Sequence, residues 1–182
     1  MKLEYYTRTA NLISFTRIIF ILPIILLYPN KIFMIILFAV AAASDYFDGF
    51  FARREGPTKF GKVWDSFCDK FFFLSLALFF LSKGDINIFQ FIVLLLKDFY
   101  VLALIIMTGI MSLYDKRVLA LKGLLNARWP GKITSVIVFL CLGYVILGLP
   151  AFEYVIFVPL ISAVIAIIDY TVVFGSKISE VL

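Results

Sequence analysis

Residues 44–70, SDYFDGFFARREGPTKFGKVWDSFCDK, place four aspartates between the apolar stretches IFMIILFAV and FFFLSLALFFL. They are Asp45, Asp48, Asp65 and Asp69. A charged side chain at the centre of a bilayer costs about 2.5–3.5 kcal/mol on insertion scales, so acids between such stretches indicate a functional site. This interpretation requires the rest of the chain to be membrane protein.

The composition is that of an integral membrane protein. Of 182 residues, 63% are hydrophobic and 16% charged, with a mean hydropathy of +1.05, whereas soluble domains are about 45–50% apolar. A spanning helix takes about 20 mostly apolar residues, which predicts six transmembrane helices over 11–28, 32–53, 61–82, 88–113, 132–149 and 152–174. Turn residues separate them, including Trp129-Pro130-Gly131 before the fifth. We therefore expect a single all-α transmembrane domain over 1–182, with the N-terminal MKLEYYTR along the membrane interface.

The basic residues predict the orientation. With six spans, the termini and the second and fourth loops share one side, which carries most of the Lys and Arg, whereas the opposite side has Lys31 and Lys83. Because cytoplasmic loops are enriched in basic residues, we expect the first side to face the cytoplasm from the plasma membrane. The net charge of +5 then attracts anionic lipid headgroups or phosphorylated substrates. It does not indicate a nucleic acid partner, since we expect no soluble basic domain.

The spacing of the aspartates allows them to converge. Asp45 and Asp48 are three residues apart, and Asp65 and Asp69 four, so each pair lies on one face of its helix. A short loop joins the two helices, which should be antiparallel neighbours. Four like charges need neutralising, and carboxylate oxygens suit Mg²⁺ or Mn²⁺. The chain has no histidine, so a base acting near neutral pH must be a carboxylate, lysine, cysteine or tyrosine.

Small residues accompany the acids. Gly49 and Ala52 follow Asp48, and Gly61 precedes Asp65 by about one turn. Taken alone they are typical of helix packing contacts. Beside four acids and Arg53 they favour a slot for a flat or phosphorylated ligand.

The stretch DYFDGFFARREGPTKFGKVWDSFCD resembles the signature of the CDP-alcohol phosphotransferase family, DxxDGxxAR followed after seven or eight residues by GxxxDxxxD. Every fixed position is present, with seven residues between Arg53 and Gly61. NLISFTR, near the N-terminus, is similar to the NxxTxxR stretch of the family's phosphatidylglycerophosphate synthase branch, with Ser14 replacing the threonine. The resemblance implies a six-span membrane core and a homodimer.

The resemblance also implies the reaction. Such enzymes of phospholipid synthesis transfer a phosphatidyl, or archaetidyl, group from a CDP-linked lipid to an alcohol and release CMP. Asp45, Asp48 and Asp65 would then bind a pair of Mg²⁺ or Mn²⁺ ions, with Asp69 both a ligand and the base for the acceptor hydroxyl. The residues implied for CDP-lipid binding are Asn11, which could equally cap the first helix, Gly49, Ala52, Arg53, Thr58 and Gly61.

The acceptor depends on other residues. The dipeptide Lys97-Asp98 in LLLKDFYVLAL would be costly facing lipid, and it resembles the Arg-Glu or Arg-Asp pair of the synthase branch. GKITS, at 131–135, resembles that branch's GKxKT, with Thr134 in place of the second lysine. We expect glycerol 3-phosphate as the acceptor, with inositol phosphate or serine as alternatives. The expected acceptor contacts are Lys97, Arg117, Arg128 and Lys132.

A non-enzymatic alternative is a transporter of divalent cations or protons, because acids within the membrane are typical of both classes. The chain has no inverted repeat, and its acids cluster near one face, which favours the enzyme. Asp169, in AVIAIIDYTVVF, is expected to pair with a basic group.

Overall fold

The helices begin and end close to the predicted positions. The computed structural model describes residues 9–28, 30–55, 59–114 and 128–181, with side chains described over 15–28, 30–44, 67–111 and 128–176. The helices are α1 (Thr9–Leu26), α2 (Lys31–Glu55), α3 (Lys59–Lys83), α4 (Ile88–Tyr114), α5 (Trp129–Leu147), α6 (Phe152–Val155) and α7 (Phe157–Val181). These described ranges contain no strand, which confirms the all-α prediction for them. The N-terminal MKLEYYTR lies outside them.

Several helices are apolar enough to cross a bilayer. Among the residues with described side chains, three stretches qualify by length and composition: Ile88–Met111, Trp129–Leu147 and Phe152–Ser176. Phe15–Leu26 and Lys31–Ser44 are apolar but shorter. Many large apolar side chains on these helices are exposed, as contact with lipid requires. The helices indicate a multi-pass membrane protein, while the count of six crossings stays a prediction.

Two of the differences from the predicted helices involve a proline. The turn expected at Trp129-Pro130-Gly131 is the first turn of α5, where the Lys132 N–H donates to the Arg128 carbonyl at 3.0 Å. Proline fits there because an N–H group in the first turn has no acceptor within the helix, so its absence costs no hydrogen bond.

The last predicted span, 152–174, is the second of these differences. It is divided after Val155 and continues to Val181. Pro159 has no N–H to donate to the Val155 carbonyl, and this missing bond separates α6 from α7.

The connection between α3 and α4 is defined by local hydrogen bonds. Gly84 has a φ of 79°, and the following Asp85 N–H donates to the Phe80 carbonyl at 3.0 Å, which closes the C-terminus of α3. Asn87 and Gln90 then form a capping box: each side chain accepts from the other's backbone N–H, at 2.9 and 2.8 Å. Both helix ends are thereby satisfied within a few residues.

The described helices form two compact units. The first contains the described residues up to Ile86 together with Leu142–Pro150. In it, α1 packs against both α2 and α3. Phe38 of α2 stacks on Phe72 of α3, with 5.9 Å between ring centroids. The helices that carry the aspartates thus share a core with α1.

The second unit contains the described residues of Asn87–Cys141 and those from Ala151 onward. Here α4 packs against α7. Their shared core contains Val101, Leu104, Ala166, Tyr170 and Phe174. This unit holds the described acceptor candidates, Lys97, Arg128 and Lys132.

Candidate functional site

The aspartate motif occupies adjoining halves of α2 and α3. Asp45 and Asp48 lie in α2, and Asp65 and Asp69 in α3. Because both segments are helical, spacings of three and four residues place each pair on one helix face, as predicted. The CDP-lipid candidates on the same two helices are Gly49, Ala52, Arg53 and Gly61.

Most of these side chains lie outside the described part of the chain. This applies to all side chains from 45 to 66 and to Asn11, and Thr58 lies outside it entirely. Their roles in binding the metal and the CDP-linked lipid stay predictions.

Asp69 is the aspartate of the motif whose side chain is described. It is 36% exposed, and its Oδ1 accepts a hydrogen bond from Nη1 of Arg17 in α1. The contact joins opposite charges, so it is both an ion pair and a charge-assisted hydrogen bond. Asp69 is therefore held by a cation from another helix.

Sequence reasoning missed Arg17. The residue is 2% exposed, and its Nε donates to Ser44 Oγ at 3.2 Å, while the Ser44 hydroxyl donates to the Ala41 carbonyl at 2.7 Å. A signal was available, because Arg17 is a charged residue within an apolar run and ends the NLISFTR stretch. The sequence did not indicate its partner, since Arg17 and Asp69 are 52 positions apart.

A metal centre fits the chemistry of this donor set. Carboxylates are the ligands that Mg²⁺ and Mn²⁺ prefer in proteins. The residues with described side chains contain no group of three or more His, Cys, Asp or Glu that could hold an ion. Asp45, Asp48 and Asp65 lie outside that set, so the carboxylate cluster stays a prediction.

Lys97 is a buried lysine in α4. It is 9% exposed, and its Nζ donates to Ser135 Oγ at 2.5 Å and to the Gly131 carbonyl at 3.3 Å. The carboxylate of the adjacent Asp98 lies 3.5 Å from the same Nζ. These contacts give the ammonium group polar partners within the protein, which a lysine in an apolar helix needs. They also connect α4 to the first turns of α5.

Arg128 lies directly before α5 and pairs with Asp169 of α7. Its Nε and Nη2 donate to the two carboxylate oxygens at 2.5 and 3.1 Å, a two-pronged geometry that only arginine offers. The expected pairing of Asp169 with a basic group is confirmed. The hydrogen bond to Asp169 raises the pKa of Arg128 above its ordinary value, although burial acts in the opposite direction. The guanidinium is a permanent cation.

The other acceptor candidates differ in their surroundings. Lys132 is exposed, and its Nζ lies 5.6 Å from the ring centroid of Trp129. Arg117 lies outside the described residues. The structure therefore brings Lys97, Arg128 and Lys132 to the first turns of α5, the segment that resembles GKxKT.

Thr134 has a structural role at the position where the resembling motif has lysine. Its side chain is buried, and Oγ1 lies within hydrogen-bond distance of the Pro130 carbonyl, at 2.9 Å, and the Ser162 carbonyl, at 3.0 Å. Ser162 belongs to α7, so the hydroxyl links that helix to α5. A lysine would place an ammonium group in this buried contact.

Gly131 allows α5 to approach α7 closely. A Cβ at this position would lie 2.5 Å from the Tyr170 hydroxyl oxygen and 3.2 Å from two ring carbons. Tyr170 is buried, and its hydroxyl accepts from the Arg128 N–H at 3.4 Å. The aromatic ring therefore has little room to move.

Gly131→Ala is expected to lower stability by about 1–3 kcal/mol, the usual cost of overpacking a well-packed site. Tyr170→Phe removes the nearest atom, so the double variant should recover part of the loss. Thermal unfolding in detergent measures both. The matched control is Gly175→Ala in α7, where a Cβ meets nothing within 4 Å. A Gly131→Ala variant as stable as this control would contradict the close approach.

Comparison with known proteins was consistent with the motif. The CDP-alcohol phosphatidyltransferase family model matches residues 7–174. A protein of Aquifex aeolicus named CDP-diacylglycerol--glycerol-3-phosphate 3-phosphatidyltransferase is 37% identical over 94 residues, covering 48% of this chain and 52% of that protein. The Rickettsia typhi protein of the same name is 32% identical over 97 residues, covering 50% and 54%. A third, from Treponema pallidum, is 32% identical over 66 residues, covering 36% and 31%.

The two kinds of match differ in extent. The chain spans about half the length, or less, of these curated relatives, whereas the family model covers nearly all of the chain. The expected family membership is thereby confirmed: this chain belongs to the CDP-alcohol phosphatidyltransferase family.

Proposed function

We propose that this chain transfers a phosphatidyl-type group from a CDP-linked lipid to a small alcohol and releases CMP. The observation that carries the proposal is the unbroken DxxDGxxAR and GxxxDxxxD pattern on α2 and α3, in a chain whose family match extends over residues 7–174. Glycerol 3-phosphate is the proposed acceptor, since it appears in the names of the matched relatives.

The register of α2 and α3 supports convergence of the aspartates. Phe38 contacts Phe72, and Arg17 bonds both Ser44 and Asp69. Between these two contacts the position along α2 increases from 38 to 44, while the position along α3 decreases from 72 to 69. This is the order of an antiparallel hairpin. Continuing that order would bring Asp48 level with Asp65 along the two helices, which supports the proposal that both halves of the motif serve one site.

The reaction needs a nucleophile, a leaving group and a proton acceptor. The acceptor's hydroxyl oxygen would attack the lipid-linked phosphorus, the bond from that phosphorus to the bridging oxygen would break, and CMP would leave with the electron pair. Asp69 would take the hydroxyl proton, a role for a positioned carboxylate. The group transfer is balanced without a further reactant.

Asp45, Asp48, Asp65 and Asp69 would hold a pair of Mg²⁺ or Mn²⁺ ions, which supply positive charge beside the diphosphate. Gly49, Ala52 and Gly61 would let the CDP moiety approach the backbone. Arg53, Thr58 and Asn11 would bind its oxygens through a guanidinium, a hydroxyl and an amide.

The acceptor phosphate would be bound by cations of the second unit. Three of the candidates lie at the first turns of α5: Lys97 contacts Gly131, Arg128 directly precedes the helix, and Lys132 belongs to its first turn. Arg117 is the fourth candidate. A phosphate there would form charge-assisted hydrogen bonds, which exceed neutral ones in strength.

We further propose six membrane crossings, a plasma-membrane location and a site facing the cytoplasm, supported by the one-sided distribution of Lys and Arg. The chain is proposed to act as a homodimer, as its family resemblance implies. Native mass spectrometry of the detergent-solubilised protein tests the dimer.

The test of the function is CMP release by purified protein in lipid nanodiscs. CDP-linked diacyl and isoprenoid lipids are each supplied with glycerol 3-phosphate, inositol phosphate, serine or no acceptor, with Mg²⁺, Mn²⁺ or a chelator. We expect CMP only with both an acceptor and a divalent ion, and most with glycerol 3-phosphate. A Glu153→Gln variant, altered at an exposed acid of α6, controls for general effects of charge removal.

No CMP with any acceptor would overturn the transferase proposal. Divalent-cation or proton flux into liposomes, without CMP release, would favour the transporter instead. CMP release that prefers inositol phosphate or serine would keep the reaction and replace the proposed acceptor.

A further inference from the structure

We infer that Arg17 is a positioning residue for Asp69, acting as a crosslink between the two halves of the aspartate motif. The inference rests on the proposed function, in which Asp69 takes the acceptor's proton. It adds a role for a residue of α1, outside the motif.

Arg17 is a buried charge in a helix that is largely apolar. A guanidinium in a helix next to lipid is costly, and it is tolerated where it is buried against partners. Arg17 is 2% exposed and contacts both Asp69 and Ser44. Its position therefore depends on α2 and α3, against which α1 packs.

The hydrogen bonds of Ser44 orient the guanidinium of Arg17. Ser44 uses its single hydroxyl proton on the Ala41 carbonyl, at 2.7 Å, so its oxygen is left to accept from Arg17 Nε. The planar guanidinium is thus fixed at one edge by Ser44. Its Nη1 then meets Asp69 Oδ1 at an angle set by that plane.

The Arg17 crosslink joins the segments that carry the two halves of the aspartate motif. Ser44 directly precedes Asp45, the first aspartate of the motif, and Asp69 is the last. A shift of α3 relative to α2 would break either the Arg17 bond to Ser44 or the Arg17 bond to Asp69. Because a displacement of about 1 Å at a reacting group can cost about 100-fold in rate, such a restraint matters to catalysis.

The test compares variants that loosen the crosslink to different degrees. Ser44→Ala keeps the charges of Arg17 and Asp69 and removes the hydroxyl that Arg17 Nε binds. Arg17→Lys keeps the positive charge and removes the planar guanidinium, and Arg17→Met removes the charge and the guanidinium. We expect kcat to fall roughly 3–10-fold, 10–30-fold and 100-fold in that order, with KM for both substrates within about threefold of wild type. Partial rescue by lysine relative to methionine separates positioning from packing.

Ser82→Ala is the matched control for the serine. The Ser82 hydroxyl donates to the Phe79 carbonyl at 2.7 Å, the same type of local bond as Ser44 makes to Ala41. Its kcat should stay within about twofold of wild type, as expected for an exposed site away from special features.

A thermal-unfolding cycle gives a readout that does not need turnover. Arg17→Met and Asp69→Asn should each lower the unfolding midpoint, since each breaks the ion pair between Arg17 and Asp69. The double variant should lose less than the two shifts added together.

The outcomes separate the two proposals. A wild-type protein that releases no CMP overturns the proposed function. A wild type that turns over while Arg17→Lys and Ser44→Ala keep its kcat overturns this inference alone. Additive shifts in the unfolding cycle, or losses of kcat that only follow the loss of folded protein, also overturn it.

Discussion

Asp69→Asn is expected to lower kcat by about 1,000-fold while the affinity for CDP-linked lipid changes by less than about fivefold. Asparagine keeps the size of the side chain but cannot take a proton at neutral pH, and general-base catalysis contributes roughly 10²–10⁴-fold to a rate. The measurement is CMP release under single-turnover conditions, beside equilibrium binding of the CDP-linked lipid at saturating Mg²⁺. Saturation separates the loss of a base from the loss of a metal ligand.

The structure dictates the controls for this variant. Removing the carboxylate breaks the ion pair with Arg17, so thermal stability must be measured alongside activity. Asp85→Asn is a matched change beyond the other end of α3, where the carboxylate accepts from the Tyr28 hydroxyl at 3.4 Å. We expect it to retain wild-type kcat. Turnover by Asp69→Asn comparable to that of Asp85→Asn would remove Asp69 from the role of base.

Lys97→Met is expected to raise KM for glycerol 3-phosphate by about 10–100-fold, with KM for the CDP-linked lipid nearly unchanged. Hydrogen bonds to charged groups contribute about 1.5–3 kcal/mol, which corresponds to that range. The Asp98 carboxylate, 3.5 Å away, lies farther from the Lys97 ammonium than Ser135 Oγ and the Gly131 carbonyl do, and we expect the substrate phosphate to replace it. Steady-state kinetics with glycerol 3-phosphate and an unphosphorylated alcohol measure the effect.

The contrast between the two acceptors decides this prediction. A binding role predicts a large change for glycerol 3-phosphate and a small one for the unphosphorylated alcohol, whereas a purely structural role predicts equal losses for both. Lys83→Met is the matched control, since the Lys83 ammonium lies over the Tyr28 and Phe79 rings in the other unit. An unchanged KM for glycerol 3-phosphate in Lys97→Met would exclude Lys97 from the acceptor site.

The helices were largely predictable because their signal is local. Apolar runs of sufficient length predicted every long helix, and the bounds agree within a few residues except in the last predicted span, which is divided near Pro159 and continues to Val181 instead of ending at 174. Pro130 was interpreted as part of a turn, although a proline can equally occupy a first helical turn. Pro159 was instead included within one predicted span, which the structure divides into α6 and α7. Proline has several compatible positions, and neighbouring residues alone do not select among them.

The site was predictable in its residue types but not in its partnerships. Asp69 and Lys97 stand out in the sequence because they are charged residues next to apolar runs. Their contacts with Arg17 and Ser135 join positions 52 and 38 apart, separations at which no sequence period operates. The sequence showed Thr134 only as a residue that differs from the GKxKT pattern, whereas its hydroxyl connects α5 to Ser162 of α7.

The amino-acid sequence alone is enough to identify a helical membrane protein that carries the aspartate signature of its family. Hydropathy and the spacing of three and four residues are properties of a single helix, so neighbouring residues carry them. The contacts of Arg17 with Ser44 and Asp69, and the pairing of Asp169 with Arg128, depend on the tertiary structure. A buried charge selects its partner from whatever side chain packing brings within reach, and that choice is made between helices.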